Sequence, residues 1–292
     1  MILEKISNYI RFISIAINMT MSNYLYDNYQ LFNIKKISYD SSNIYHLNNK
    51  SNKIIIFISG SYVCGFHSYI KKTLKDLYDC YLSIISEYDI YVFENTTKAN
   101  FMLYSDIVKF VNEINSNSKI DELIFFGYSY GATTCSNALA NLKNLNCKKK
   151  LITYDAPHSP YKIFKHIKES NILADYYFNK LISDQYPEYI NPAKTIDDLV
   201  DIISKDYNIT NIKCLKLNTM NYDLDENDIL INIYSKYDII TSHENNIRNS
   251  FKKYESKIKF KYYNIEKDNT SHCTDHVYNT SYLDNIINAI QL

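Results

Sequence analysis

Residues 122–131 of the chain read Glu-Leu-Ile-Phe-Phe-Gly-Tyr-Ser-Tyr-Gly (ELIFFGYSYG). After Glu122, the four residues Leu123 to Phe126 form a short apolar run, which is typical of a buried strand. Gly127 and Gly131 then flank Ser129, and residues 132–142 are predicted to be helical. Glycine is favoured where the backbone takes a positive φ or approaches another group closely. The stretch therefore predicts a strand, a tight turn with Ser129 at its tip, and a helix.

Further apolar runs alternate with helical stretches on both sides of this segment. The predicted strands are Lys53–Ser59, Ile90–Phe93, Leu151–Tyr154, Ile229–Tyr234 and Ile258–Tyr263. The predicted helices lie at about His67–Ser86, Ser105–Ile114 and Glu244–Tyr254, with a last helix that runs to Leu292. Alternation of this kind predicts an α/β protein with a mostly parallel central sheet flanked by helices.

One segment interrupts the alternation. All four prolines fall within it, at Pro157, Pro160, Pro187 and Pro192. The segment is rich in Tyr and Phe, and its pattern favours helices over strands. We interpret residues 157–210 as an inserted helical cap, and residues 1–156 and 211–292 as the α/β core.

Composition narrows the classes of function. The 292-residue chain has 32 Lys and Arg against 32 Asp and Glu, so it shows no basic excess and no nucleic-acid partner is expected. The six cysteines form no CxxC pair, which favours a reduced, cytoplasmic protein. No HExxH spacing is present, and no metal or other cofactor is predicted.

The N-terminal residues carry a helical pattern. Ile6, Ile10, Ile13 and Ile17 fall at helical spacing, while Arg11 interrupts the apolar stretch that a signal peptide needs. No run of about 18 apolar residues occurs, so no transmembrane helix is expected. The favoured interpretation is a helix packed on the body of the protein, and a peripheral membrane contact through residues 1–20 is the alternative.

The chain has only four glycines, and all of them lie at two predicted strand ends: Gly60, Gly65, Gly127 and Gly131. The second pair forms the pattern G-x-S-x-G, which is typical of a nucleophile elbow that raises a serine hydroxyl above the sheet edge. Ser129 is therefore the candidate nucleophile. The alternative is a tight turn in which the serine has no chemical role.

With Ser59-Gly60-Ser61-Tyr62 after the first buried strand, the sequence resembles the α/β-hydrolase superfamily over most of its length, and within it the serine esterases and lipases. The resemblance implies an oxyanion hole made by two backbone N–H groups. Tyr130 supplies one of them, and Ser61 is the first candidate for the other, with Tyr62 as the second candidate. Ser59 stands where that family usually has a histidine.

The resemblance also implies an acid and a base in the chain order Ser, Asp or Glu, His. Asp238 follows the Ile229–Tyr234 strand and is the candidate acid, with Asp155, after the Leu151–Tyr154 strand, as the alternative. His272 is the candidate base, and His276 is the alternative.

These residues together predict a serine hydrolase that cleaves a small-molecule ester, one with an apolar acyl group if the aromatic residues of the cap line its pocket. The same residues would also serve a thioesterase, an amidase or an acyltransferase. A non-catalytic binding protein on this fold is the remaining alternative, because fold alone does not define activity.

Overall fold

A computed structural model describes residues 34–39, 42–58, 60, 68–95, 104–156, 224–235, 238, 259–267 and 282–292. Its strands are β1 (Ile34–Tyr39), β2 (Ser42–Leu47), β3 (Lys53–Ile58), β4 (Asp89–Asn95), β5 (Glu122–Tyr128), β6 (Lys148–Tyr154), β7 (Ile229–Ser235) and β8 (Lys261–Lys267). Its helices are α1 (Ser68–Ile85), α2 (Tyr104–Asn117), α3 (Tyr130–Asn141) and α4 (Tyr282–Gln291).

The strands of the described residues form one eight-stranded sheet in the order β1-β2-β4-β3-β5-β6-β7-β8. Strands β3 to β8 run parallel to one another, whereas β2 pairs antiparallel with both β4 and the edge strand β1. The mostly parallel α/β sheet predicted from the sequence is therefore confirmed. Because parallel strands end at the same edge, the residues that follow β5, β6, β7 and β8 are brought to one side of the molecule.

Helices cover both faces of the sheet, as the continuous apolar runs require. In β3, Ile54, Ile56 and Ile58 pack on one face with α2 and α3, while Ile55 and Phe57 pack on the other face with α1 and α4. All five side chains are buried. Among the described helices, none is long and apolar enough to cross a membrane.

Two parts of the sheet differ from the sequence prediction. The β1–β2 hairpin was not predicted, because polar residues interrupt its apolar pattern, as in Ser42-Asn43-Ile44-Tyr45-His46-Leu47. Strand β8 covers residues 261–267, three to four residues beyond the predicted Ile258–Tyr263. It is an edge strand with mostly exposed side chains, so hydrophobicity marks its position poorly.

Three predicted segments lie outside the described residues. They are the cap (157–210), the N-terminal helix and the helix at 244–254.

A buried carboxylate joins β2 to the start of β4. Asp89 Oδ1 accepts the backbone N–H groups of Asn49 at 2.8 Å and Ser51 at 3.1 Å, and Oδ2 lies 3.2 Å from Nε2 of His46. Burial raises the pKa of Asp89, but the hydrogen bonds from His46, Ser51 and Asn49 outweigh burial and bring the pKa below its usual value.

We expect Asp89→Asn to lower the free energy of unfolding by about 2 kcal/mol at pH 7, because hydrogen bonds to a charged group are lost. The folded-state pKa lies below the unfolded value of 3.8, so this stabilisation is present above pH 3.8 and is lost as the pH falls through the folded-state pKa. Urea unfolding between pH 7 and pH 2.5 measures it. An exposed control is Glu87→Gln, which removes the surface pair with Lys53. A difference from wild type that does not change with pH would contradict the prediction.

Candidate active site

Ser129 lies between a strand and a helix in a strained backbone conformation. Strand β5 ends at Tyr128, α3 begins at Tyr130, and Ser129 has φ 48° and ψ −118°. Positive φ is uncommon for residues other than glycine, and such strain clusters at functional sites. The backbone N–H of Ser129 donates to the carbonyl of Tyr154 at 2.8 Å, and its own carbonyl accepts the N–H of Ala132 at 3.0 Å. These bonds hold the turn against the end of β6.

The close approach of helix to strand explains Gly127. A Cβ atom at this position would lie 2.4 Å from both Cα and N of Ala132, and 2.6 Å from the carbonyl carbon of Gly131. These neighbours are backbone atoms, which have little freedom to move aside. The prediction that glycine is needed here for close approach is confirmed, since a larger residue would displace the start of α3.

The first turn of α3 begins directly after Ser129. The Ser129 side chain makes no capping hydrogen bond to this helix. The N-terminus of a helix presents N–H groups and a partial positive charge, which favour a developing negative charge nearby. The backbone of Tyr130, a candidate donor to the oxyanion, lies at the start of this turn. Ser61 and Tyr62, the two candidates for the other donor, lie outside the described residues.

The two candidate acids have different surroundings. Asp238 follows β7, is 4% exposed, and its backbone N–H lies 3.5 Å from the carbonyl of Ser235. Asp155 follows β6 and is fully buried. One oxygen of Asp155 accepts the N–H of Ser235 at 3.0 Å, and the other accepts a hydrogen bond from the ammonium of Lys267. Both oxygens of Asp155 therefore accept hydrogen bonds within the described part of the protein.

Sequence reasoning missed Lys267. It stands at the end of β8, where lysine usually marks a solvated strand end, yet its side chain is only 3% exposed. Nothing in its sequence neighbourhood, Ile265-Glu266-Lys267, distinguishes it from a surface lysine. The ion pair spans from β6 to β8 across β7, so only the strand order reveals it.

The remaining site predictions fall on other parts of the chain. His272 and His276 lie outside the described residues, as does the whole predicted cap. Cys135, on α3, is fully buried, and burial raises the pKa of its thiol well above the usual value. The thiol stays protonated at neutral pH and is unsuited to act as a nucleophile. In the described part of the chain, no cluster of His, Cys, Asp and Glu could hold a metal ion.

Several solved structures are similar to this protein in fold, over about nine-tenths of its length. The Pyrococcus furiosus esterase Pf2001 superimposes with a TM-score of 0.58 at 14% identity, over 89% of this chain and 92% of its own. The Francisella virulence factor BioJ gives 0.57 at 15% identity, over 94% and 90%. EstE5, in the structure of EstE5-PMSF, gives 0.59 at 11% identity, over 94% and 89%. The chain has the α/β-hydrolase fold. No family model and no curated protein sequence matches it at a significant level.

In enzymes with the α/β-hydrolase fold, the catalytic residues follow the carboxyl ends of particular strands. In this fold the nucleophile precedes the acid and the acid precedes the histidine along the chain. Here Ser129 follows β5, Asp238 follows β7, and the segment with His272 follows β8. The strand order places these three strand ends on the same side of one sheet.

Proposed function

We propose that this protein is a serine hydrolase that cleaves a carboxylic ester through an acyl-enzyme on Ser129. The observation that carries the proposal is the backbone at Ser129, a non-glycine residue with φ 48° between a buried strand and the start of a helix. A tight turn without a chemical role would be less strained with glycine at that position. The strain supports a turn that serves to present the serine hydroxyl.

In the proposed reaction His272 takes the proton of Ser129 as Oγ attacks the ester carbonyl carbon. The N–H groups of Tyr130 and Ser61 stabilise the oxyanion, and each such donor is worth about 3 kcal/mol. When the ester C–O bond breaks, the imidazolium returns its proton to the leaving alcohol. A water molecule, deprotonated by His272, then releases the carboxylic acid and regenerates Ser129. Asp238 holds the tautomer and orientation of the imidazole.

The proposed substrate is a small ester with an apolar acyl group. The support is the sequence of residues 157–210, which is rich in Tyr and Phe and follows the end of β6. Ligand pockets are lined mainly by apolar and aromatic side chains. The same catalytic residues would act on a thioester, so the substrate panel should include thioesters beside p-nitrophenyl esters of increasing acyl length.

A fluorophosphonate probe tests the nucleophile. We expect labelling of the folded protein at Ser129, found by mass spectrometry of the labelled peptide, and none in Ser129→Ala. Ester hydrolysis should fall about 10⁶-fold in that variant. The control Ser116→Ala removes an exposed serine of α2 and should label as wild type. Labelling His272→Gln and His276→Gln distinguishes the two candidate bases. Folded wild-type protein that does not label would refute the proposal.

A further inference from the structure

Lys267 is a buried cation at the end of an otherwise largely exposed strand. Lys261 and Asn264, earlier in β8, are exposed, whereas Lys267 is buried. Its ammonium donates to Asp155 and lies 4.5 Å from the centre of the Tyr154 ring. A buried charge is costly unless it is paired, so Lys267 and Asp155 depend on each other.

Asp155 connects this cation to the neighbouring strand as well. Its backbone N–H donates to the carbonyl of Ile233 at 2.8 Å, and its side chain accepts the N–H of Ser235 at 3.0 Å. Asp155 has φ 47°, a conformation that Asp and Asn tolerate better than most residues. One residue at the end of β6 thus fixes the end of β7 directly and the end of β8 through Lys267.

The hydrogen bonds at these strand ends also include Ser129, the proposed nucleophile. The residue before Asp155, Tyr154, accepts the backbone N–H of Ser129 at 2.8 Å. Ser235 and Lys267 are paired in register as the last residues of β7 and β8. The carboxyl ends of β5, β6, β7 and β8 are therefore linked by hydrogen bonds and one ion pair. Asp238 lies three residues beyond Ser235, and His272 lies five residues beyond Lys267.

We propose that Asp155 and Lys267 form a positioning pair, which fixes the strand ends that lead to Asp238 and His272 relative to Ser129. The inference rests on the function proposed above. Neither residue transfers a proton in the proposed reaction: both oxygens of Asp155 are engaged, and Lys267 acts through Asp155. Catalysis depends on such placement, because a misplacement of about 1 Å can cost about 100-fold in rate.

The test compares Lys267→Met with a matched control, Lys150→Met, near the amino end of β6 and away from the strand ends that lead to the site. Lys150 is also buried, and its ammonium lies 3.0 Å from Glu122 in a second ion pair. In Lys267→Met, we expect kcat and the rate constant for phosphonylation of Ser129 to fall about 100-fold, with KM changed far less. Lys150→Met should lose stability but keep both rates. Rates are expressed per folded molecule, from the near-ultraviolet circular dichroism of the tyrosines.

The double variant Asp155→Asn/Lys267→Met keeps the proposal testable if the single variant does not fold, because it leaves no unpaired charge. We expect it to lose no more activity than the more impaired single variant, since paired residues act non-additively. Hydrogen exchange of peptides spanning 236–240 and 268–276 should rise in the double variant and not in Lys150→Met. Normal rates in folded Lys267→Met or in the double variant overturn the positioning role alone. Absence of labelling in wild type overturns the proposed function instead.

Discussion

Asp238→Asn is expected to lower kcat for ester hydrolysis about 10⁴-fold, because an amide in place of the acid favours the wrong tautomer of the catalytic histidine. Asp238 is buried directly after β7, where α/β-hydrolase chain order calls for the acid. The amide has nearly the same shape as the carboxyl group. The protein should therefore remain folded, and steady-state hydrolysis of a p-nitrophenyl ester measures the loss.

The variant Asp155→Asn distinguishes the proposed role of Asp238 as the acid from the proposed role of Asp155 in positioning. Asp155 already binds Ser235 and Lys267, so its replacement should cost about 100-fold through misplacement, together with stability. The exposed Glu226, before β7, supplies a control: Glu226→Gln should behave as wild type. If Asp155→Asn lost more activity than Asp238→Asn, the two carboxylates would have to exchange roles.

Gly127→Ala is expected to lower the free energy of unfolding by about 3 kcal/mol, the upper part of the usual range for overpacking. The added Cβ would lie 2.4 Å from backbone atoms of Ala132, so α3 must move as a unit. That movement carries the turn with it, and the rate constant for phosphonylation of Ser129 should fall about 100-fold. Urea unfolding followed by circular dichroism, and the kinetics of probe labelling, measure the two effects.

A control on the same helix separates stability from placement. Ala140 is half-buried near the end of α3, away from the turn, and Ala140→Gly should cost about 1 kcal/mol through helix propensity alone. Its labelling rate should equal that of wild type. A stable and fully reactive Gly127→Ala protein would show that the helix can shift without disturbing Ser129.

The sequence could predict the central strands because their signal is local. Strands β3, β5 and β7 are continuous apolar runs that are buried on both faces, and each begins at the residue that the pattern predicted. The edges of the sheet were harder. Strand β8 was placed three to four residues early and the β1–β2 hairpin was missed, because an edge strand with polar or exposed side chains shows little hydrophobic pattern.

The α/β fold, the turn at Ser129 and the need for glycine at position 127 can all be predicted from the amino-acid sequence. Each of these depends on residues close together in the chain: an apolar run, two glycines and the helix that follows. The sequence left Asp155 and Asp238 as alternatives. What Asp155 binds is visible only in the tertiary structure, because Lys267, 112 residues beyond Asp155 in the chain, reaches it across β7 and donates to its carboxylate. A contact of that kind depends on strand order, which no local pattern encodes.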